Sequence, residues 1–233
     1  MSPDRFQTIK QTLNRRQPDL QLFLDEVHKP HNIAAVIRTA DAVGMSTIRA
    51  WTPDGRLRMP KLAAGGSRPW VNLKFHPCRE TMIAEAKAEG MQVVVAHLSK
   101  SAVDYREIDY CKPTLICMGS EKRGASTQIA DNADQHIVIP MVGMVESLNV
   151  SVAAAVIMVE AMNQRLAAGS YNERKISDED YQRLLFEWAQ PVVTRYCKKN
   201  KLPYPPLDDD GDIAKSDLTG NRYSGGYAEH ISD

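Results

Sequence analysis

Short apolar runs alternate with amphipathic stretches along most of the chain. The runs have the length and composition of buried strands, and they cover residues 20–27, 47–51, 70–75, 92–96, 114–118 and 136–139. Between them, apolar residues recur at helical spacing over residues 33–43 and 81–89, and a shorter helical piece lies near Gln128. Gly44 and Gly90 follow the two longer stretches, where glycine commonly ends a helix. Strands that alternate with helices predict an α/β fold with an open, mostly parallel sheet and helices on both faces.

Both ends of the chain carry further amphipathic helices. Pro3 stands at a helix start, and Phe6, Ile9 and Leu13 form an apolar stripe opposite basic residues. An alanine-rich helix is predicted over residues 148–168, and another begins at Ser177 and is kinked or broken at Pro191. We therefore divide the chain into a basic N-terminal helix (1–18), a central domain (19–168), a C-terminal helical extension (169–206) and an acidic tail (207–233). We expect the segment from Pro203 onward to lie outside the core, with its last residues disordered.

The sequence gives no support for secretion, membrane insertion or a structural metal. The N-terminus lacks the charged-then-apolar order of a secretion signal, and the longest purely apolar run, residues 152–159, is too short to span a bilayer. The four cysteines form no C-x-x-C pair, which favours reduced, packed thiols, and His28 and His31 have no further ligand nearby. We expect a cytoplasmic protein without a membrane span or a metal site.

The charges balance overall but are segregated along the chain, with 29 Lys and Arg residues against 29 Asp and Glu. Residues 49–79 contain seven cations and one acid, and residues 195–201 contain four cations, whereas the tail is acidic. Either basic stretch could bind phosphate, as in a nucleic-acid partner, or could be a solvated surface. We favour phosphate binding for the first stretch, because a loop so rich in arginine gains little from folding alone.

Three polar segments follow predicted strands, at the sheet edge where parallel α/β proteins bind ligands. Neither a G-x-G-x-x-G after a strand nor a G-K-[ST] loop is present, so ordinary dinucleotide and P-loop sites are not expected. We call the segments motif one (residues 31–41, with Asn32 and Arg38), motif two (118–124) and motif three (139–151). Taken singly, each has an ordinary interpretation: an N-cap at Asn32 with a surface arginine, a turn, and an N-cap at Ser147.

Taken together, the three motifs resemble those of the SPOUT RNA methyltransferases, specifically the TrmH group, which methylates the 2'-oxygen of guanosine 18 in the D-loop of tRNA. The resemblance runs in order from Arg15-Arg16-Gln17-Pro18-Asp19-Leu20, through Val27-His28-Lys29-Pro30-His31-Asn32 and Ile37-Arg38-Thr39-Ala40-Asp41-Ala42-Val43-Gly44, to Ser147-Leu148-Asn149-Val150-Ser151 and Leu202-Pro203-Tyr204-Pro205. It covers residues 1–205.

The resemblance implies a fold and partners that sequence patterns do not. The C-terminal part of the sheet would be threaded into a deep trefoil knot, and a homodimer would act on tRNA with S-adenosylmethionine as the methyl donor. The residues that would hold the donor are Ala96, Leu98, Gly119, Ile139, Met141 and Leu148.

The resemblance also implies roles for individual side chains. Arg38 would activate the ribose hydroxyl, either as a base coupled to an RNA phosphate or by stabilising the developing alkoxide. Asn32 would orient Arg38 or the ribose, Glu121 would position the motif-two loop and the substrate, and Ser147 with Asn149 would shape motif three. His31 would help to place the RNA. The candidate phosphate contacts are Arg15, Arg16, Arg56, Arg58, Lys61 and Arg68.

Two other interpretations stay open at this point. One is methylation of another tRNA or rRNA nucleotide by a related enzyme, and the other is a non-catalytic RNA-binding protein on the same scaffold. The intact set of Asn32, Arg38, Glu121 and Asn149 argues against lost activity. One position departs from the pattern expected of the group: Asn163 stands where an arginine is expected, with Arg165 two residues on, which leaves the substrate range open.

Overall fold

The computed structural model of the protein describes residues 1–56, 70–120 and 123–214. These residues divide into two compact units. The sheet unit consists of residues 17–173, and the terminal unit consists of residues 1–16 together with the chain from residue 174 onward.

The sheet unit is built on a seven-stranded sheet in which every strand pair is parallel. Its strands are β1 (Leu20–Asp25), β2 (Thr47–Trp51), β3 (Asn72–Phe75), β4 (Gln92–Ala96), β5 (Val103–Asp104), β6 (Thr114–Met118) and β7 (Gln135–Val138). They lie in the order β3-β2-β1-β6-β4-β7-β5. The chain runs outward from β1 to β3 and then crosses to the other side, so its direction of progress reverses beside β1. Such a reversal opens a crevice beyond the carboxyl ends of the strands.

Helices cover both faces of this sheet. Helices α2 (Pro30–Ala42) and α5 (Val150–Ala167) share one apolar cluster with Leu22 and Leu24 of β1. Helices α3 (Arg79–Ala88) and α4 (Thr127–Ala130) share the opposite cluster with Phe23. Successive residues of a strand point to opposite faces, so Leu22 and Leu24 of β1 serve one layer and Phe23 serves the other.

Helix α5 has the most apolar composition. Among the described residues it is the helix long and apolar enough to cross a membrane by length and composition alone. In this structure one face of it is buried in the core through Ala154, Ile157, Met158 and Ala161. Its last turn carries Arg165, which is fully buried and donates to the carboxylate of Asp19, to Gln17 and to backbone carbonyls. Asn163, the departure noted in the sequence, is exposed.

The predicted α/β architecture is confirmed, and each of the six predicted strands is present. The periodicity missed β5, because two residues are too few to show an alternation.

Gly44 follows α2 with φ of 82°, the left-handed conformation that favours glycine at a helix end. Burial raises the pKa of the Cys117 thiol, in keeping with a packed, unreactive cysteine.

The terminal unit joins the two ends of the chain. Helix α1 (Pro3–Asn14) packs against α6 (Asp178–Ala189), which Gln190 separates from α7 (Pro191–Asn200), so the predicted break at Pro191 is confirmed. The chain after α7 is packed, contrary to the expectation for Pro203 onward. Tyr204 stacks on Phe186 with ring centroids 4.6 Å apart, and Leu207 and Ile213 join the same cluster. Residues 215–233 lie outside the described part of the chain.

Candidate active site

A cleft of about 310 Å³ lies at the carboxyl edge of the sheet. The loops that follow β4, β6 and β7 form its walls together with the start of α5. All of the residues expected to hold a methyl donor line it, namely Ala96, Leu98, Gly119, Ile139, Met141 and Leu148, and Ser147 lines it as well. Its volume is within the range of small-molecule sites. The cleft is also lined by His97, Ser120 and Glu146, for which the motifs predicted no individual role.

Gly119 gives the cleft its shape. A Cβ atom built on this residue would overlap backbone atoms of Gly124 and Ala125, because the motif-two loop folds tightly back on itself. Ser120 and Gly124 exchange backbone hydrogen bonds of 3.1 and 2.9 Å across this turn. Glycine therefore permits a close backbone approach that no other residue could make here. Glu121 lies outside the described residues, so its predicted role is not tested.

Motif three begins α5 through Asn149. The Asn149 carboxamide oxygen accepts hydrogen bonds from the backbone N–H and the hydroxyl of Ser151, at 2.9 and 2.6 Å. Asn149 is thus the N-cap of the helix, and the alternative that Ser147 caps it is wrong. Ser147 remains exposed on the wall of the cleft, where its hydroxyl is free to meet a ligand.

Motif one is fixed to motif three by a hydrogen bond between two asparagines. The Asn149 amide donates to the carboxamide oxygen of Asn32 over 3.2 Å. Asn32 lies in the first turn of α2 and is 2% exposed, while Lys29 occupies the N-cap position. The N-cap interpretation of Asn32 is therefore wrong. The bond to Asn149 was not predicted, and the expectation that Asn32 orients Arg38 or the ribose stays a prediction.

Arg38 and His31 lie on the outward face of α2. Together with Ala35 and Ala42 they form an exposed stripe at helical spacing. No hydrogen bond or ion pair joins Arg38 to another residue in the described part of the chain, and the described residues that line the cleft do not include it. Within one chain, the guanidinium therefore faces solvent, where a substrate can reach it.

The predicted phosphate contacts differ in accessibility. Arg15 and Arg56 are exposed. Arg16 is 1% exposed and its guanidinium carbon is 5.1 Å from the centre of the Trp188 ring, which removes it from the accessible cations. Arg58, Lys61 and Arg68 lie outside the described residues. Within those residues no group of three or more potential metal ligands occurs.

Comparison with known proteins gives the class to which this fold and cleft belong. The family model described as "SpoU rRNA Methylase family" matches residues 19–159, and the model "SpoU, rRNA methylase, C-terminal" matches residues 163–216. The chain belongs to the SpoU methylase family and is a methyltransferase of the TrmH group, as its three motifs predict.

The names of individual relatives describe a more specific activity than the family models do. The chain is 48% identical to the tRNA (guanosine(18)-2'-O)-methyltransferase of Escherichia coli strain K12, over 91% of this chain and 94% of that one. The crystal structure of the Aquifex aeolicus TrmH/SpoU tRNA modifying enzyme is similar with a TM-score of 0.77 and 39% identity, covering 82% of this chain and 97% of that one. An AdoMet-bound rRNA methyltransferase from Sinorhizobium meliloti is similar with a TM-score of 0.56 and 30% identity, covering 66% of this chain and 59% of that one. These similarities confirm the predicted SPOUT fold class.

Proposed function

We propose that the protein transfers a methyl group from S-adenosylmethionine to the ribose 2'-hydroxyl of guanosine 18 in the D-loop of tRNA. The observation that carries the proposal is the convergence of the expected donor residues on one cleft at the carboxyl edge of the sheet. Relatives that carry the name of this activity share almost half of their residues with the chain over nearly its whole length.

The cleft fits a small ligand with an apolar part and a polar part. Leu98, Ile139, Met141 and Leu148 offer apolar surface, while Ser120, Glu146 and Ser147 offer polar groups. When bound, S-adenosylmethionine supplies a methyl group on a positively charged sulfur. The apolar side chains of the cleft would pack against the donor, and Ser147 is placed to hydrogen-bond its polar groups.

Arg38 serves the acceptor side. A guanidinium has five N–H donors and no acceptor, so it stabilises negative charge on the ribose oxygen as the hydroxyl loses its proton. Coupling to an RNA phosphate would allow the same group to assist that proton loss, as the family resemblance implies. His31, on the same exposed stripe, is suited to contact the RNA. Asn32 braces α2 against the motif-three loop through Asn149.

The tRNA would be held mainly by its phosphates. Arg15 and Arg56 are exposed, and Arg58, Lys61 and Arg68 extend the same basic stretch of sequence. Binding through such contacts weakens as salt rises, because counterions must be released. A cytoplasmic location follows from a tRNA substrate and is part of the proposal.

A homodimer is also proposed, on the evidence of α5. Val152, Val159 and Leu166 recur every seven residues on one face of this helix and are 48%, 41% and 53% exposed. An apolar stripe of this kind marks an interface. Because α5 packs beside α2, a second copy seated on the stripe would lie next to the face that carries Arg38. The trefoil knot that the resemblance implies belongs to the same proposal, with the segment from β7 to α5 as the threaded part.

The central experiment maps the methylated atom. Purified protein is incubated with tritiated S-adenosylmethionine and three RNAs: a tRNA transcript, the same transcript with a 2'-deoxyribose at position 18, and an rRNA fragment. We expect incorporation into the first RNA alone. Labelling of the deoxy transcript would refute the assigned atom, and labelling of the rRNA fragment alone would favour the alternative substrate.

The role of Arg38 is tested in the same assay. We expect Arg38→Ala to abolish transfer while tRNA binding remains measurable, because the side chain acts on the reacting oxygen. Arg106→Ala, which removes another exposed arginine of the sheet unit, is the matched control and should retain activity. Undiminished turnover of the Arg38 variant would refute the assignment.

The basic stretch is tested by charge reversal. Combining Arg56→Glu with Arg58→Glu should weaken tRNA binding and lower the slope of affinity against salt concentration, by about one unit for each phosphate that is no longer bound. Affinity for S-adenosylmethionine should be unchanged. A salt slope equal to that of the unmodified protein would contradict phosphate binding by this stretch.

A further inference from the structure

Asp25 is a buried carboxylate at the carboxyl end of β1, with 1% of its surface exposed. Both of its oxygens are used. Oδ1 accepts a hydrogen bond of 2.7 Å from Nε of Arg79, and Oδ2 accepts one of 2.9 Å from the backbone N–H of Ser126. Ser126 closes the motif-two loop, which we define as residues 119–126. A carboxylate at this depth requires such partners, because burial without them is costly.

Arg79 is the first residue of α3 and has three contacts of its own. Besides Asp25, it donates to Glu26 over 2.6 Å, and its guanidinium carbon lies 3.6 Å from the centre of the Trp51 ring. Burial alone would lower the pKa of Arg79, but hydrogen bonds with Asp25 and Glu26 outweigh it and raise that pKa. A planar guanidinium can serve two carboxylates and a ring at once, which a lysine cannot.

Each partner in this cluster belongs to a different functional loop. Glu26 begins the connection from β1 to α2 and has φ of 58°, a left-handed conformation that is rare outside glycine and needs support from its surroundings. Trp51 ends β2 and lies within the basic stretch, five residues before Arg56. Ser126 ends the loop whose Gly119 lines the cleft. The cluster therefore joins the connection that leads to motif one, the end of β2 in the basic stretch and the end of the motif-two loop.

The motif-two loop depends on this anchor. Its Ser120–Gly124 hydrogen bonds close the loop on itself and do not attach it to the sheet. Within the described part of the loop, the bond from Ser126 to Asp25 is the hydrogen bond that links it to β1. A shift of Ser126 would also move the preceding residues, down to Gly124. Gly119 would move with them, because its backbone packs directly against that of Gly124.

We propose that Asp25 and Arg79 are positioning residues that fix the motif-two loop against the end of β1 and thereby set the affinity for the methyl donor. Neither residue lines the cleft, so the effect passes through Ser126 and not through contact with the ligand. The inference rests on the proposed function for the identity of the donor, whereas the anchoring of the loop is independent of it.

The variants are Asp25→Asn, Arg79→Gln and Arg79→Lys. An asparagine keeps the volume of Asp25 but cannot accept from both partners at once, because one of its terminal atoms is a donor. The control is Arg49→Lys. Arg49 is a buried arginine of the sheet unit whose partners, Gln21, Glu85 and Glu89, lie outside the three loops. It reports the effect of general destabilisation.

Two readouts separate positioning from stability. Hydrogen–deuterium exchange of the protein without ligand should be faster at Ser126 in Asp25→Asn and in Arg79→Gln, and unchanged there in Arg49→Lys. Calorimetric titration with S-adenosylmethionine should show about tenfold weaker binding for Asp25→Asn, the loss expected for a hydrogen bond to a charged group. The KM for tRNA should stay within twofold, and Arg79→Lys should recover part of the donor affinity that Arg79→Gln loses.

The outcomes test the positioning role of Asp25 and Arg79 separately from the proposed function. Donor binding by Asp25→Asn and Arg79→Gln equal to that of the unmodified protein would overturn the positioning role, as would an equal loss in Arg49→Lys. If Asp25→Asn does not fold, the two Arg79 variants decide the question. An unmodified protein that does not bind S-adenosylmethionine would refute the proposed function, and the exchange rate at Ser126 would still decide whether the loop is anchored.

Discussion

Substituting Gly119 with alanine should weaken donor binding and slow methyl transfer without unfolding the protein. The added Cβ would overlap backbone atoms of Gly124 and Ala125, and real Cβ atoms essentially never approach such atoms within 3.0 Å. The two sides of the loop must therefore separate by about 1 Å, a misplacement that typically costs on the order of 100-fold in activity. Backbone atoms cannot rotate away as a flexible side chain would, so the strain moves the wall of the cleft itself.

Gly143→Ala is the matched control for this change. Gly143 lies in motif three's loop, within the same functional edge of the sheet, and nothing comes within 4 Å of a Cβ built there. Methyl transfer should fall about 100-fold for Gly119→Ala and stay near normal for Gly143→Ala, and calorimetric titration with S-adenosylmethionine should show weaker donor binding in Gly119→Ala alone. Thermal unfolding monitored by circular dichroism should show that both variants fold. Donor affinity within twofold of the unmodified protein for Gly119→Ala would refute the close approach as the determinant of the cleft.

Three further predictions concern stability and assembly. Arg165→Met should lower the free energy of unfolding, measured in urea, by about 3 kcal/mol. This is the lower end of the range for breaking a buried ion pair, because the Asp19 side chain keeps 27% exposure. A loss below about 1 kcal/mol would contradict a structural role for Arg165. Val159→Glu should convert the proposed dimer to a monomer, as measured by light scattering. The control Val192→Glu, at a site on α7 that is 37% exposed, should leave the mass unchanged. An unaltered mass for Val159→Glu would exclude the α5 stripe as the interface. Burial lowers the pKa of His76 below its ordinary 6.5, so the unfolded chain binds more protons and the free energy of unfolding should fall as pH drops through 6.5. His76→Gln should flatten that dependence and exposed His28→Gln should not; equal slopes for both would count against burial as the cause.

The elements of the fold could be predicted from local sequence patterns, whereas contacts between residues far apart in the sequence could not. The strands and helices follow from hydrophobic spacing, because each buries its apolar positions against a common core. The residues that the family motifs assign to the donor line one cleft, and their role stays a prediction. The contrast between Arg15 and Arg16 could not be predicted, since two adjacent arginines look alike until Trp188, far along the chain, covers one of them. The Asn32–Asn149 bond spans 117 residues and was missed for the same reason.

Buried charges were the least predictable part of the site. Arg49 and Arg79 lie within the basic stretch that suggested phosphate binding, yet Arg49 is 1% exposed and Arg79 is held between two carboxylates. Composition counts such residues with the surface cations, because the sequence does not show which carboxylates will meet them. Fewer cations near the sheet edge are consequently accessible than the sequence suggests. Phosphate binding by this stretch would therefore depend more strongly on Arg56 and its neighbours.

Motif one serves two surfaces of the molecule through a single helix. Asn32 and Arg38 are six residues apart, so their side chains differ by about 240° around the axis of α2. One consequently faces the motif-three loop and braces the donor cleft, while the other faces solvent with His31. The expected donor residues thus share one cleft within a single chain, whereas under the proposed function the acceptor side would need the RNA, and in a dimer the second copy, to enclose Arg38. This division explains why a binding cleft forms in the isolated chain although its expected catalytic arginine stands outside it.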